Sequence, residues 1–395
     1  MRTRYVVAAH FAGEWDEPRV RRWAETTRAR LEAPSVTFGI VFMSPQFFEV
    51  ASEVLEVLRV HARIPLLAGC SSQSLIANGE ELEDQAGLVL QLFHLPDATV
   101  RAVRFDQEQL ESLNSPLEWP SVTGVPRESV RGWMVFADPF HLDAESWLRS
   151  WHQGYGGVPV VGGLASGLFE PRRTQVYLDG EVFEEGGVAL GVGGAVKIES
   201  MVSQGCTPIG APWTITKADR NLILTIANRP AYSVLQDTFQ GLSEDEQRRA
   251  QRNLFVGFAS SEYREEFRHG DFLVRNLLGA DENRGILAVG ALPRTGQTIQ
   301  FHRRDAESAS ADLSGCLAEA RRQLHGRIVY GGVLSVCNGR GRRLFGRPSH
   351  DAGLIQEQLG PLPVAGFFCN GELGPVGGHN FLHGYTASLG LLVRD

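Results

Sequence analysis

A recurring phrase constrains the fold of this chain more than any single motif in it. Ile64-Pro65-Leu66-Leu67-Ala68-Gly69, followed by Ser72, returns as Val158-Pro159-Val160-Val161-Gly162-Gly163, followed by Ser166. Downstream, Glu81 to Leu90 returns as Glu181 to Leu190, and upstream Trp133 to Ala137 plays the part of Thr37 to Met43. One supersecondary unit is therefore used again, and the N-terminal region is expected to be internally duplicated, with Ser72 and Ser166 in equivalent places. Leu362 to Leu392 has the same rhythm of proline, small apolar residues, turn, glycine-rich excursion and long apolar run. That relates the C-terminal region to the other two copies.

Inside the repeat, strand and helix signals alternate. Tyr5 to Ala9 is β-prone, and Val20, Trp23, Ala24, Thr27 and Leu31 follow helical spacing after Pro18. Thr37 to Met43 reads as a buried strand, and Ser44-Pro45 as N-cap and first helical residue ahead of Phe48, Ala51, Leu55 and Leu58. Leu66 to Ala68 opens another strand, which stops at Gly69-Cys70-Ser71-Ser72. This alternation builds a partly parallel layer. The runs Gly87 to Phe93 and Thr99 to Phe105 add antiparallel pairing. The expected fold class is α/β, with mixed β-sheets flanked by helices. Gln204-Gly205-Cys206-Thr207-Pro208 interrupts two strand-like runs, so the chain is expected to divide into domains 1–205 and 206–395. The second should hold hairpins around Asp219-Arg220-Asn221 and Asp281-Glu282-Asn283, and helices near Ala231 to Phe239 and Ala306 to Leu324.

Composition excludes some functions. A net charge of −8 disfavours nucleic acid or an anionic membrane as partner. Five cysteines spread along the chain suit reduced thiols better than a disulfide framework. The N-terminal apolar run is too short for a signal peptide, and no stretch approaches the roughly 20 apolar residues that span a bilayer. The expected location is cytoplasmic.

Two turns carry the chemistry. Cys337-Asn338-Gly339-Arg340 and Cys369-Asn370-Gly371-Glu372 each close a short apolar run, and Asn-Gly favours the positive φ of a tight turn. Each strand end thus delivers a thiol, an amide and a charge. Gly371 to Asn380 is glycine-rich and interleaved with polar side chains, which suits an anion-binding nest as well as a crowded crossing. Arg340 and Glu372 are read as clamping both ends of a zwitterion, or as an internal ion pair. If the chain is an enzyme, Cys337 or Cys369 is the nucleophile and His379 or His383 the base. Zinc on Cys337, Cys369, His379 and His383 is disfavoured because no Cys-x-x-Cys is present. The acidic run Glu80, Glu81, Glu83 and Asp84 lacks a calcium-loop pattern and reads as a solvated turn. No metal and no cofactor is assigned.

These two segments, with Leu67 to Asp84, Val160 to Gly167 and Ser203 to Leu235, resemble the FIST family, named for F-box and intracellular signal transduction proteins. The resemblance covers nearly the whole chain. It implies a FIST N-terminal and a FIST C-terminal domain, and a sensory module binding a small molecule, with an amino acid or a derivative as the suggested ligand class. The ligand-binding residues are then Asn338, Arg340, Asn370, Glu372, His379, Asn380, His383 and Tyr385. A separate signalling protein is the expected partner. The alternative is a cysteine- and histidine-dependent enzyme acting on a small metabolite.

Overall fold

The computed structural model of the chain describes residues 5–395 apart from 169, 252, 263–265 and 268–269. Contacts divide the chain into two compact units. The first gathers Met1–Val202, Ser314–Leu382 and Thr386–Asp395, and the second Ser203–Leu313 with His383–Tyr385.

Three six-stranded mixed sheets build the first unit, and each is centred on one parallel pair. The pairs are Phe38–Met43 with Leu67–Ser71, Gly132–Ala137 with Val160–Leu164, and Val329–Cys337 with Val364–Cys369. Each pair is followed in the chain by a hairpin and then by a long antiparallel strand: Gly87–Phe93, Gly187–Gly194 or Ala387–Arg394. The duplication expected from the sequence is present, and the C-terminal region supplies a third copy. The hairpins do not stay with their own sheets. Leu75–Ala77 with Glu80–Leu82 adds to Val364–Cys369, and Val176–Leu178 with Glu181–Phe183 adds to Leu67–Ser71. Glu372–Val376, next to His379–His383, adds to Val160–Leu164.

The three parallel pairs share one steric device. Gly69, Gly162 and Gly366 lie opposite Val41, Val135 and Leu334. A Cβ at these glycines would fall 1.7, 2.1 and 2.2 Å from the carbonyl oxygen of that partner, far inside contact distance. Counting from these glycines, Ser72 is level with Ala165 and Cys369, and Ser166 with Gln73 and Asn370. The expected equivalence of Ser72 and Ser166 is therefore corrected by one residue, because strand register and not the resemblance of the phrases sets the alignment.

Helices cover the sheets. Glu17–Ala29 starts at Asp16, whose carboxylate accepts from the Arg19 N–H at 3.0 Å, and it buries Val20, Ala24 and Thr27. Ala51–His61 buries Val54, Leu55 and Leu58. Ser44 is not the cap expected of it: Pro45–Val50 is a 3-10 turn, and the Ser44 hydroxyl accepts from the Gly87 N–H at 2.9 Å. Ala144–Gly154 packs Trp147 and Trp151 against Phe105, with the Phe105 and Trp147 rings stacked at 4.2 Å.

The second unit is an antiparallel barrel. Its strand order is Cys206–Asp219, Thr298–Arg304, Leu254–Ala259, Phe272–Asp281, Ile286–Val289, Leu222–Ile226 and Arg229–Pro230. Cys206–Asp219 also pairs with Leu222–Ile226, so all but the last strand close on themselves. Ile215, Ile223, Val256, Leu287, Ile299 and Phe301 fill it. Both expected hairpins are present, as is the helix Ala306–Gln323 with Ala309, Leu313 and Leu317 buried. Among the described residues no helix is long and apolar enough to cross a membrane.

The close approach of the strands is testable. Gly366→Ala forces its Cβ onto the Leu334 carbonyl and should cost more than about 3 kcal/mol in a denaturant melt. Gly315→Ala, in the helix Ala306–Gln323 with nothing within 4 Å of the new Cβ, should instead stabilise by about 0.5–1 kcal/mol.

Candidate functional site

Parallel pairing in register brings the two Cys-Asn-Gly turns together, with Cys337 directly beside Cys369. They lie at the carboxyl ends of the parallel strands, where open α/β sheets leave room for chemistry. The turn amides are stitched to each other. Asn338 N–H donates to the Cys369 carbonyl at 3.1 Å, and its Nδ2 to Asn370 Oδ1 at 2.9 Å. Asn370 Nδ2 donates in turn to the Ala165 carbonyl at 2.9 Å. Asn370 is exposed, whereas Asn338 and Cys337 are half-buried.

Beneath this rim the charges are fully buried. Arg340 is 0% exposed and grips Asp351, also 0% exposed, through Nε to Oδ2 at 2.6 Å and Nη2 to Oδ1 at 3.0 Å. Such a fork fixes both partners in angle as well as distance. Burial opposes the guanidinium's charge, but Asp351 outweighs it and moves the Arg340 pKa up. Burial alone would raise Asp351, yet the Arg340 charge and a His350 contact hold it at about 2. His350 Nδ1 lies 2.9 Å from Asp351 Oδ1 and its ring stacks on Phe345 at 3.5 Å.

Two carboxyls share the cluster. Glu372, 0% exposed, accepts from Thr386 N–H at 3.0 Å, Thr386 Oγ1 at 2.7 Å and the Cys369 thiol at 3.2 Å. Burial still dominates and raises it to about 7. Glu81 is buried too, its Oε1 accepting from the Asp351 and Ala352 N–H groups at 2.8 and 3.0 Å, where the helix His350–Leu359 begins. Burial and then the charge of Asp351 raise it to about 7. Within this network Arg340 Nη1 and Glu81 Oε2 have no hydrogen-bond partner. Unpartnered buried polar atoms are rare, and each asks for a cause.

Several expectations are corrected here. Arg340 pairs with Asp351, so the direct Arg340–Glu372 ion pair is not formed, although the two groups still act on each other through space. The acidic run is not wholly a solvated turn: Glu81 enters the cluster, and Glu83 accepts from the Arg342 N–H at 2.9 Å. The glycine-rich segment is a β-hairpin rather than a nest. Gly377 and Gly378 take φ of 59° and 83° at its tip, and a Cβ on Gly374 would meet Val202 at 2.3 Å. Asn380 is spent on that hairpin, accepting from Val160 N–H at 3.0 Å and donating to the Val158 carbonyl at 2.8 Å. His379 is exposed, its ring 5.0 Å from that of His152. The hydrogen-bond acceptor beside the Cys369 thiol is the Glu372 carboxyl and not a histidine. His383 and Tyr385 belong to the second unit, where Tyr385 stands over Phe255 at 4.5 Å and bonds Asn276. Among the described residues no group of three or more His, Cys, Asp or Glu could hold a metal ion, so the zinc set is not gathered. Ser72 and Ser166 both donate to the Phe368 carbonyl, at 2.8 and 2.6 Å, and so lock strand ends together.

Asp351 was not singled out from the sequence, and Glu81 was read only as part of a solvated acidic turn. Asp351 lies on the helix between the two turns, whereas Glu81 is far from them in the chain and only the exchanged hairpin Leu75–Leu82 brings it there. A cleft of about 1200 Å³ opens elsewhere in the first unit, lined by Tyr5, Arg30, Arg321, His325, Arg327 and Tyr330 among others, with no acidic residue among the described residues of its lining. None of the signature-turn residues reaches it.

Comparison with known proteins agrees with the resemblance. The family model described as the FIST N domain matches residues 37–229, and that of the FIST C domain residues 231–375. An uncharacterized protein of Mycobacterium tuberculosis is 35% identical over 382 residues, covering 95% of this chain and 97% of its own. One of Mycobacterium bovis is 35% identical over 366 residues, 92% of each chain. An Arabidopsis thaliana F-box/LRR-repeat protein is 32% identical over 105 residues, 26% of this chain and 20% of its own. Among solved structures, a cyanuric acid hydrolase from A. caulinodans aligns over 99% of both chains at 8% identity and a TM-score of 0.36, too distant to carry a statement about this chain.

The cluster makes two predictions. Arg340→Ala strands the buried Asp351 carboxylate and should cost about 3–5 kcal/mol, whereas Arg340→Met combined with Asp351→Leu should recover most of that loss. Glu372 moves from its ordinary 4.5 to about 7, so the folded chain keeps a proton there that the unfolded chain has released. Its contribution is complete below pH 4.5 and is lost as pH climbs through about 7. Denaturant melts should therefore show Glu372→Gln gaining stability relative to the wild type between about pH 5 and about pH 8.

Proposed function

The chain belongs to the FIST family, and we propose that it is a sensory protein that binds a small molecule reversibly at the paired Cys-Asn-Gly turns. The observation that carries this reading is the buried Arg340 Nη1, left without a partner in a cluster where nearly every other polar atom is satisfied. A charged donor in a low-dielectric surrounding favours an anionic acceptor strongly. The unpartnered Glu81 Oε2 adds a complementary acceptor. A compound carrying both a carboxylate and a donor, the amino acid class, answers both atoms, while the Asn338 and Asn370 amides at the rim meet its polar edge. The signal then leaves through a separate protein that reads the occupied state.

A thermal-shift screen of the purified chain tests this. Amino acids and their derivatives are the probes, with nucleotides, other metabolite acids and divalent metals as comparisons. A ligand at about 100 times its dissociation constant adds about 2.7 kcal/mol of stability. The expected result is a shift confined to carboxylates bearing a donor, strongly reduced in Asn338→Ala and in Arg340→Lys. No shift with any amino acid, or one untouched by both substitutions, would overturn the reading.

A further inference from the structure

We propose that Cys337 and Cys369 are a redox pair that takes a hydroperoxide, with Cys337 attacking, Cys369 resolving and Glu372 receiving the Cys369 proton. This chemistry goes beyond ligand sensing and does not depend on what the turns bind.

The geometry assigns the roles. The two residues are partners in a parallel ladder, so their side chains share one face of the sheet. Neighbouring strands put paired Cα atoms about 4.8 Å apart, inside the range of roughly 4.4–6.8 Å that a disulfide spans. Both are thiols in this structure. Cys337 is half-buried, and its sulfur accepts from the Gly339 N–H at 3.5 Å. The Arg340 guanidinium is near enough to act on any charge formed at that sulfur. The thiolate is the form that reacts with peroxide, and the half-buried Cys337 is the sulfur of the two that an oxidant reaches. Cys369 is fully buried, and burial pushes its thiol well above the ordinary value. Left alone it is inert, but its Sγ–H already points its proton at Glu372 Oε1, 3.2 Å away. A carboxyl at about 7 is matched to receive it near neutral pH.

The steps balance. The Cys337 thiolate attacks one peroxide oxygen, forming S–O as O–O breaks, and the displaced alkoxide takes a proton and leaves as an alcohol, or as water when the oxidant is hydrogen peroxide. Cys369 gives its proton to Glu372 and attacks the Cys337 sulfenic sulfur, forming S–S as S–O breaks. The departing hydroxide takes a proton and leaves as water. Two thiols lose two electrons, the peroxide gains them, and a dithiol reductant resets the pair. The disulfide would tie the two signature turns to each other.

The test uses the full chain, reduced, treated with stoichiometric hydrogen peroxide near pH 7, quenched with an alkylating agent and read by peptide mass. The wild type is expected to lose two of its five alkylatable thiols, linked as Cys337–Cys369, and to regain them with dithiothreitol. Cys369→Ser should accumulate a sulfenic acid on Cys337 that dimedone traps, while Cys337→Ser should leave Cys369 reduced over the same time. Glu372→Gln should keep the first step and slow disulfide closure by at least about tenfold, and it should flatten the rise of closure rate through about pH 7. Oxidation first at Cys70, Cys206 or Cys316, or a wild-type Cys337 sulfenic acid that persists without closing, would overturn the pair. An unchanged closure rate in Glu372→Gln would overturn the base. No ligand enters this assay, so failure of the sensory reading and failure of the redox pair are separately visible.

Discussion

None of the three sheets in the first unit is completed by its own segment of chain. Val364–Cys369 needs the hairpin Leu75–Leu82, Leu67–Ser71 needs Val176–Phe183, and Val160–Leu164 needs the strand Glu372–Val376. The exchange closes on itself, so each copy covers an edge of another and receives cover from the remaining one. An uncovered edge is a row of unpaired N–H and C=O groups that invites the wrong partner. Cyclic exchange removes three such edges at once, and it makes the copies mutually dependent. The glycines at positions 69, 162 and 366 belong to the same constraint: the strands that receive a hairpin also approach their parallel neighbour too closely for a side chain.

The polar cluster follows from this exchange. Glu81 travels on a hairpin from the first copy, while Arg340, Asp351, Cys369 and Glu372 belong to the third. The hairpin places the Glu81 carboxylate on the first N–H groups of His350–Leu359, which would otherwise lack acceptors. Once there, Glu81 and Asp351 oppose each other, and the protein resolves the conflict unevenly. Asp351 keeps its charge because Arg340 grips it with two nitrogens, whereas Glu81 is raised to about 7. The cluster therefore combines a fixed ion pair with two carboxyls whose charge is readily changed.

The repeat, the parallel pairs and the places where the strands end were legible because each is written in adjacent residues, although neither Asn-Gly takes the positive φ expected of it. The one-residue offset between Ser72 and Ser166 was not, since a phrase match is blind to strand register. The partner of Arg340 was not legible either. Arg340 and Glu372 follow matching Cys-Asn-Gly triplets, and that symmetry suggests a pair, but Asp351 sits on the helix between the two strands and reaches the guanidinium first. Glu81 was hidden because hydrophilic runs are ordinarily solvated, and only the hairpin's exchange buries one of its acids. Asn380 stood out for its polarity, and the hairpin uses it to fasten itself to the Val158 and Val160 backbone.

Glu372 connects the properties of the site. Its two oxygens accept from Cys369 and Thr386, and Arg340 acts on it through space. Removing the Cys369 proton, whether by oxidation or by base, withdraws one of the bonds that favour its ionised form. An anion placed against Arg340 weakens the favourable charge on it in the same sense, and both changes move its proton affinity upward. Interacting groups titrate as a set, and whatever one of them does to another is returned in equal measure. Thiol state and proton at these turns are thus two handles on one equilibrium. The cyclic exchange of hairpins assembles that cluster from separate copies, so its members are held by more than one of them.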